Sequence, residues 1–386
     1  MRVLFVISDL GFHGAQKQVV ELARELARGG HGVAIYTLNN DVPRAAELAD
    51  SGVEVIVDQK KSKLDPAVLM RLRRRITGWR ADIVHGFLFD GDIYARIAAA
   101  GTGAVVLNSE RSDNYEISRT QKLAHQLTKG LVDGVVANSR SGSAFAQKLY
   151  GYRPEQMHVV WNGMRIEDFE HKAVTSTNHR REFFGDEPVR ITCMIGHIKP
   201  AKDYPLALEA AAALLRSAPD WRVLFLGDSL GGAGLYKGGS DSDTSDYKRM
   251  VMERYHALGL TPDRVKFAGA RGDAPAILSQ CDVQLMTSRW EGFPNVVLEG
   301  MVLGVPVVST EYSDIRHILP RAQQVVASRA PGELARAVAE AWRDREAIVE
   351  EQKRWVRAHA SIENATRELE NVYNQYLRRD AHAQAA

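Results

Sequence analysis

Short apolar runs alternate with amphipathic helical stretches along almost the whole chain, in two successive series. The first series has runs at 2–7, 32–38, 53–57, 82–87, 104–109 and 134–138. After the first run, Ala15 to Arg28 puts Val19, Leu22, Ala23, Leu26 and Ala27 on one helical face and stops at Gly29-Gly30. The second series has runs at 190–196, 222–227, 264–269, 282–287 and 305–309, with helical patterns near 203–216, 245–259, 273–280, 294–303 and 331–343. Strands that are apolar throughout need cover on both faces, which crossover helices give a parallel sheet. The polar segment 166–188 shows no clear strand and reads as a linker. The expected fold class is α/β: two Rossmann-like, doubly wound parallel-sheet domains over 1–165 and 189–360, facing a cleft. A last helical stretch, about 361–380, is expected to pack back on the first domain. Sheets of this kind bind ligands outside the C-terminal ends of their strands.

The remaining arithmetic narrows the class. A chain of 386 residues fits two domains. A hydrophobic share of 45% and a charged share of 25% exclude collagen-like, coiled-coil and wholly disordered chains. Fifty Lys+Arg against 48 Asp+Glu leave a formal charge of +2, whereas a nucleic-acid binder usually shows a larger, clustered excess. The two cysteines, Cys193 and Cys281, form no CxxC or metal-spaced cluster and read as reduced thiols. The start, Met1-Arg2-Val3-Leu4-Phe5-Val6-Ile7-Ser8-Asp9, reads as a strand and not as a signal peptide. No apolar run approaches the roughly 18 residues that span a bilayer. The Gly/Ser/Asp-rich stretch 229–246 is expected to be a mobile loop, and the tail 381–386 to fray.

The densest chemical signal is Ser288-Arg289-Trp290-Glu291-Gly292-Phe293-Pro294-Asn295-Val296-Val297-Leu298-Glu299-Gly300-Met301. It runs from a strand end into a helix, with Gly292 and Pro294 marking the turn. Amides at a helix start, here Asn295 to Val297, suit a phosphate. Glu291 and Glu299 would lie about 80° apart on a continuous helix, and a pair of carboxylates suits the hydroxyls of a ribose and a hexose. Two exposed helix-end glutamates are the plain alternative.

These residues resemble glycosyltransferase family 4, whose members have the GT-B fold and retain anomeric configuration. The likeness rests on the Glu-x7-Glu block, followed by Gly304-Val305-Pro306-Val307-Val308-Ser309-Thr310. It extends to Trp161-Asn162-Gly163-Met164-Arg165-Ile166-Glu167-Asp168-Phe169 and to Phe267-Ala268-Gly269 with Asp273 to Val283. The resemblance implies that Glu299 binds ribose hydroxyls and Glu291 sits by the donor sugar. It also implies that the backbone from Gly292 through Phe293 and Pro294 to Asn295 touches that sugar, and that Val296 and Val297 hold the diphosphate. In the segment Asp9-Leu10-Gly11-Phe12-His13-Gly14-Ala15-Gln16, Gly14 keeps one glycine of the usual pair and His13 replaces the other. In Gly196-His197-Ile198-Lys199-Pro200-Ala201-Lys202, Lys202 matches the family's phosphate lysine, and His197 stands where arginine is usual. An imidazole carries full charge only below about pH 6.5, whereas a guanidinium stays charged.

On the acceptor side, His85 ends one strand, while Glu110 and Arg111 end the next where many relatives have a histidine. His13, His85, Glu110 and Arg111 are the acceptor-side candidates, and Glu291, Lys202 and Arg111 the catalytic ones. Arg111 suits a leaving phosphate or an acidic acceptor; its plain alternative is an ion pair with Glu110 or Asp113. Retaining transfer in this fold is described as front-face attack, the leaving phosphate taking the acceptor proton, which calls for no protein nucleophile. The resemblance implies no bound metal and no cofactor beyond the nucleotide-sugar substrate.

The segment 60–80 carries Lys60, Lys61, Lys63, Arg71, Arg73, Arg74, Arg75 and Arg80, with Leu64, Val68, Leu69, Leu72 and Ile76 at helical spacing. It reads either as a peripheral contact for anionic membrane or as an ordinary surface helix. The expected function is retaining transfer of a hexose from a nucleotide diphosphate sugar to a glycan or lipid-linked acceptor, in polysaccharide or glycolipid assembly. A nucleotide-sugar epimerase of the same fold and a non-catalytic sugar-nucleotide binder are the alternatives. Base, sugar and acceptor stay open. The expected location is the cytoplasm, with the inner face of the cell membrane as the alternative.

Overall fold

The computed structural model describes residues 1–112, 117–227 and 241–385, without the side chains of 241–245 and 379–385. The chain divides into two compact units, residues 1–165 with 360–386, and residues 166–359.

In the first unit the apolar runs form β1 (Arg2–Ile7), β2 (Gly32–Thr37), β3 (Glu54–Val57), β4 (Ile83–Phe87), β5 (Val105–Glu110), β6 (Gly134–Ala137) and β7 (Met157–Val159). They pair in parallel in the order β3-β2-β1-β4-β5-β6-β7, so the topological switch falls between β1 and β4. Val3 to Ile7 are wholly buried because both faces of β1 are covered. Side chains alternate across a strand. Val3, Phe5 and Ile7 pack with the helix Gly14–Arg28 and the C-terminal helix, while Leu4 and Val6 pack with the helices Pro66–Trp79, Leu88–Ala99 and Arg140–Tyr150.

The C-terminal helix, Ile362–Ala385, seats Ile362, Ala365, Leu369, Val372, Tyr373 and Tyr376 in the first unit's core. It docks on the segment leaving β7: Met164 N–H donates to Ala360 O at 2.9 Å, and Ile362 N–H to Met164 O at 3.0 Å. Gly163 permits this approach, since a Cβ there would lie 2.7 Å from Ile362 Cα. The helix continues through the stretch expected to fray, where alanines favour helix.

The second unit has β8 (Arg190–Ile195), β9 (Trp221–Leu226), β10 (Val265–Phe267), β11 (Val283–Met286), β12 (Val307–Thr310) and β13 (Val325–Val326), parallel in the order β10-β9-β8-β11-β12-β13. Its switch lies between β8 and β11, so the loops that follow these two strands are neighbours. Cys193 and Cys281 are free thiols in one apolar cluster of this unit, Cys193 fully buried. Residues 166–188 contain two short helices, Ile166–Lys172 and His179–Phe184, and group with this unit. Of the stretch expected as a loop, 229–240 lies outside the described residues, and Asp241 already begins the helix Asp241–Ala257. The edge strands β7 and β13 and the helix Arg345–His359 have no counterpart in the reading of the sequence.

Candidate active site

In the second unit, the loop after β8 carries His197 and Lys202, and the loop after β11 carries Ser288 to Pro294. Lys202 Nζ lies 2.7 Å from Glu291 Oε1, and Ser288 Oγ donates to the same oxygen at 3.0 Å. Lys202 is only 7% exposed. Its chain lies over Gly196, where a Cβ would stand 2.9 Å from Lys202 Cε. A side chain at 196 would therefore displace the lysine.

A second, crossed ion pair joins the same two loops. Asp203 accepts from Arg289 Nε at 2.9 Å and from Arg329 Nη2 at 2.7 Å. Arg329 also donates to Ser288 O and Thr287 O, both at 2.9 Å. Thr287 Oγ1 donates to Lys202 O at 2.8 Å, and Arg289 N–H to Ala201 O at 2.8 Å. The Lys202–Glu291 pair thus stands on a frame of hydrogen bonds. The reading of the sequence gives Ser288 and Arg289, which open the Glu-x7-Glu block, no role, and Asp203 and Arg329 no place in the site. Asp203 adjoins the motif lysine, but nothing local marks Arg329, which reaches the site from the loop after β13.

The helix Asn295–Val302 follows the turn, with Gly292, Phe293 and Pro294 buried. Asn295 N–H donates to Phe293 O at 3.0 Å and Val297 N–H to Pro294 O at 2.9 Å. Gln284 Nε2 donates to Val296 O at 3.0 Å, and Ser313 Oγ to Gly292 O at 2.6 Å. The turn is therefore held from both sides. Glu299 is half-buried on this helix, and His197 is exposed. The structure brings Lys202, Glu291 and the 292–297 turn together on one unit.

The first-unit candidates divide. Gly14 begins the helix Gly14–Arg28, and His13 precedes it without a side-chain cap. His85 is fully buried. Its Nδ1 meets Tyr373 Oη at 2.7 Å and its Nε2 meets Ser109 Oγ at 2.9 Å. Burial, then the Arg111 charge, hold its pKa well below the usual imidazole range. This neutral, fully bonded ring has the packed role and presents no nitrogen to a ligand. Glu110 Oε1 accepts from the amides of Arg111 and Ser112 at 2.9 and 3.1 Å. Arg111 donates to Asn162 Oδ1 at 3.0 Å and Ser109 Oγ at 3.1 Å, and its guanidinium lies over the Phe87 ring. Burial lowers its pKa to about 10, so it remains cationic at neutral pH. Its side-chain hydrogen-bond acceptors, Asn162 and Ser109, are neutral, while the Glu110 and Asp92 carboxyls act on its charge from nearby; Asp113 lies outside the described residues.

In 60–80, Val68, Leu72 and Ile76 pack on the sheet. Arg71 pairs with Asp58 at 2.7 Å, Arg75 with Glu54 and Lys60 with Asp90. Lys61, Lys63, Arg74 and Arg80 are exposed. Among the described residues no three His, Cys, Asp or Glu side chains gather as metal ligands, and no helix is long and apolar enough to cross a membrane.

Two parallel-sheet α/β units place the chain in the GT-B fold class. The Anabaena protein Alr3699/HepE, solved in complex with UDP, superposes with a TM-score of 0.80 at 18% identity, covering 97% of this chain and all of that one. Two family models account for most of the sequence, Glycosyltransferase Family 4 over residues 12–168 and Glycosyl transferases group 1 over residues 175–361. The chain is a family 4-like glycosyltransferase. It is 25% identical over 206 residues to the mannosylfructose-phosphate synthase of Agrobacterium fabrum, 52% of this chain and 43% of that protein. It is 26% identical over 180 residues to the lipopolysaccharide core biosynthesis mannosyltransferase LpsB of Rhizobium meliloti, 47% of this chain and 46% of that one. The matches span under half the length of both relatives.

Proposed function

We propose that the protein transfers a hexose from a nucleoside diphosphate sugar to a hydroxyl of a glycan or lipid-linked acceptor, with retention at the anomeric carbon. The observation that carries the reading is the Lys202–Glu291 pair beside the 292–297 turn. It sets a cation, a carboxylate and a helix start in one place on the second unit, the three groups a sugar diphosphate calls for. Lys202 and the backbone at Val296 take the diphosphate, the Val297 N–H being engaged by Pro294 O until the turn opens, with His197 beside Lys202 in the same loop. Glu291 takes hydroxyls of the sugar, backed by Gly292 to Asn295, and Glu299 takes the ribose. On the first unit Gly14 is a donor-side glycine, where the backbone can approach the phosphate, and His13, Glu110 and Arg111 are the acceptor-side groups. Arg111 is the group there that suits a phosphate-bearing acceptor, since it stays cationic and its side-chain hydrogen bonds go to the neutral Asn162 and Ser109. A peripheral contact of 60–80 with anionic lipid at the inner face of the cell membrane rests on its exposed cations. Because HepE was solved with UDP, uridine nucleotides are the first to test.

The test is incubation with UDP-, GDP- and ADP-sugars and simple glycoside acceptors, followed by analysis of nucleotide and sugar products. Free nucleoside diphosphate with a new glycoside of unchanged anomeric configuration supports the reading. An epimerised sugar nucleotide, or binding without turnover, would replace it with the epimerase or the non-catalytic binder.

A further inference from the structure

Gln284 stands on the central strand β11, wholly buried, opposite Cys193 of β8 and Val307 of β12 in the sheet register. Its backbone N–H donates to Pro306 O at 2.8 Å, which leaves the side chain to be explained. A primary amide in a parallel-sheet core costs free energy unless both its ends are bonded. Here one end is. Nε2 donates to Val296 O at 3.0 Å, whereas Oε1 has no hydrogen-bond partner among the described residues. The opposite orientation would set two oxygens face to face, so the nitrogen belongs at Val296 and the oxygen at Gly300.

The helix Asn295–Val302 is shaped to that amide. A Cβ at Gly300 would stand 1.9 Å from Gln284 Oε1 and 3.0 Å from its Cδ, closer than a side chain tolerates. Gly300 lies inside the helix, where alanine is the better helix former, so its lack of a side chain serves the contact and not the helix. Gln284 thus spans one helical turn, from the carbonyl of Val296 to Gly300, and fixes the roll of the helix on the sheet. The peptide between Val296 and Val297 is gripped at both ends, its oxygen by Gln284 and its N–H by Pro294 O at 2.9 Å. Glu299 immediately precedes Gly300, so the same roll sets the direction of its carboxylate.

An apolar side chain of the same length would fill this space without leaving an oxygen unpaired, and such a replacement of a half-satisfied buried amide is neutral or stabilising. The amide therefore costs stability, and what it secures is the start of one helix. Val296 and Glu299 on that helix are the groups assigned to the diphosphate and the ribose. When the Val297 N–H leaves Pro294 O for a phosphate, the Gln284 bond keeps the Val296 carbonyl in place.

We propose that Gln284 is a positioning residue for nucleotide binding, holding the Val296 peptide and Glu299 in register with Lys202 and Glu291, with Gly300 as the gap that admits its amide. This rests on the assignment of Val296, Glu299 and Lys202 to a nucleoside diphosphate. The test measures melting temperature, affinity for UDP, GDP and ADP by calorimetry, and deuterium exchange over 295–302 in the ligand-free chain. Gln284→Met keeps the length of the side chain and removes the amide. It should melt at or above the wild-type temperature, weaken the tightest-binding nucleotide about fivefold or more, and speed exchange across 295–302. Gly300→Ala should weaken the same nucleotide comparably and melt lower, although alanine favours helix. Gln284→Val with Gly300→Ala makes room for the new methyl group and should regain the melting temperature but not the affinity. Lys202→Met separates this role from the assignment of the site. If it binds like wild type, or if the wild type binds none of the nucleotides, the assignment fails and the proposal fails with it. If Lys202→Met weakens binding while folded Gln284→Met and Gly300→Ala bind as wild type, the proposal alone is overturned. It is also overturned if Gln284→Met melts lower with unchanged affinity, the signature of a merely structural residue. Should Gln284→Met fail to fold, Gly300→Ala and the double variant decide on the same readouts.

Discussion

Lys202 and Glu291, from loops on adjacent strands of the second sheet, meet at 2.7 Å between Nζ and Oε1, largely out of water. Each is the other's neutralising partner, and each is also assigned to a different part of the same ligand. The coupling is measurable without substrate. Lys202→Met and Glu291→Gln should each destabilise the protein by about 1–3 kcal/mol, because the charge left behind is poorly solvated. The double variant should lose less than the sum by about 1 kcal/mol or more. Urea unfolding of the four proteins closes the cycle, and strict additivity would show the pair to be geometrically close but energetically idle.

Glu299 tests the nucleotide half of the site. If its carboxylate takes ribose hydroxyls, Glu299→Ala should weaken nucleoside diphosphate binding by about 1.5–3 kcal/mol, the range for hydrogen bonds to a charged group. The readout is calorimetric titration with UDP, GDP and ADP. Unchanged affinity in a folded variant removes Glu299 from the site.

Tyr373 tests the return of the C-terminal helix to the first unit. Its hydroxyl meets His85 Nδ1 at 2.7 Å, in full burial. Tyr373→Phe leaves an imidazole nitrogen unpaired and should cost about 1–3 kcal/mol. Tyr373→Ala adds a cavity and should cost about 3–5 kcal/mol. Equal losses in the two variants would mean that the hydroxyl dominates and the ring packs little.

Asp92 gives a pH signature. Burial pushes its carboxyl up to about 7, against the opposing effects of Arg96, Asn108, the Ser109 amide and Arg111. The native state therefore holds a proton that the unfolded chain releases near pH 4. Its contribution is fully present below that value and is lost as pH rises through about 7. Asp92→Asn keeps the neutral form at every pH. Relative to wild type, the variant should gain up to about 1.4 kcal/mol per pH unit between about pH 4.5 and 6.5, then level off above about 7.5. Parallel stability curves would place the carboxyl in a solvated setting.

The sequence by itself determined the period of the elements and the chemistry of the motif. Uninterrupted apolar runs such as Val3–Ile7 can be satisfied only by cover on both faces, so parallel sheets and two series of strands were legible. So was the Glu-x7-Glu block, because glycine, proline and glutamate at a strand-to-helix turn form a local pattern. The tertiary structure decided what depends on contacts far apart in sequence. Edge strands β7 and β13 are too short to show a period and exist because β6 and β12 offer them a ladder. His85, a strand-end residue in the reading of the sequence, is the middle residue of β4 and a packing residue because Tyr373 and Ser109 close on its two nitrogens. Arg329 joined the site because β13 delivers its loop to Asp203 and the end of β11. A side chain's type states which partners it accepts, whereas the fold's long-range register decides which of them arrive.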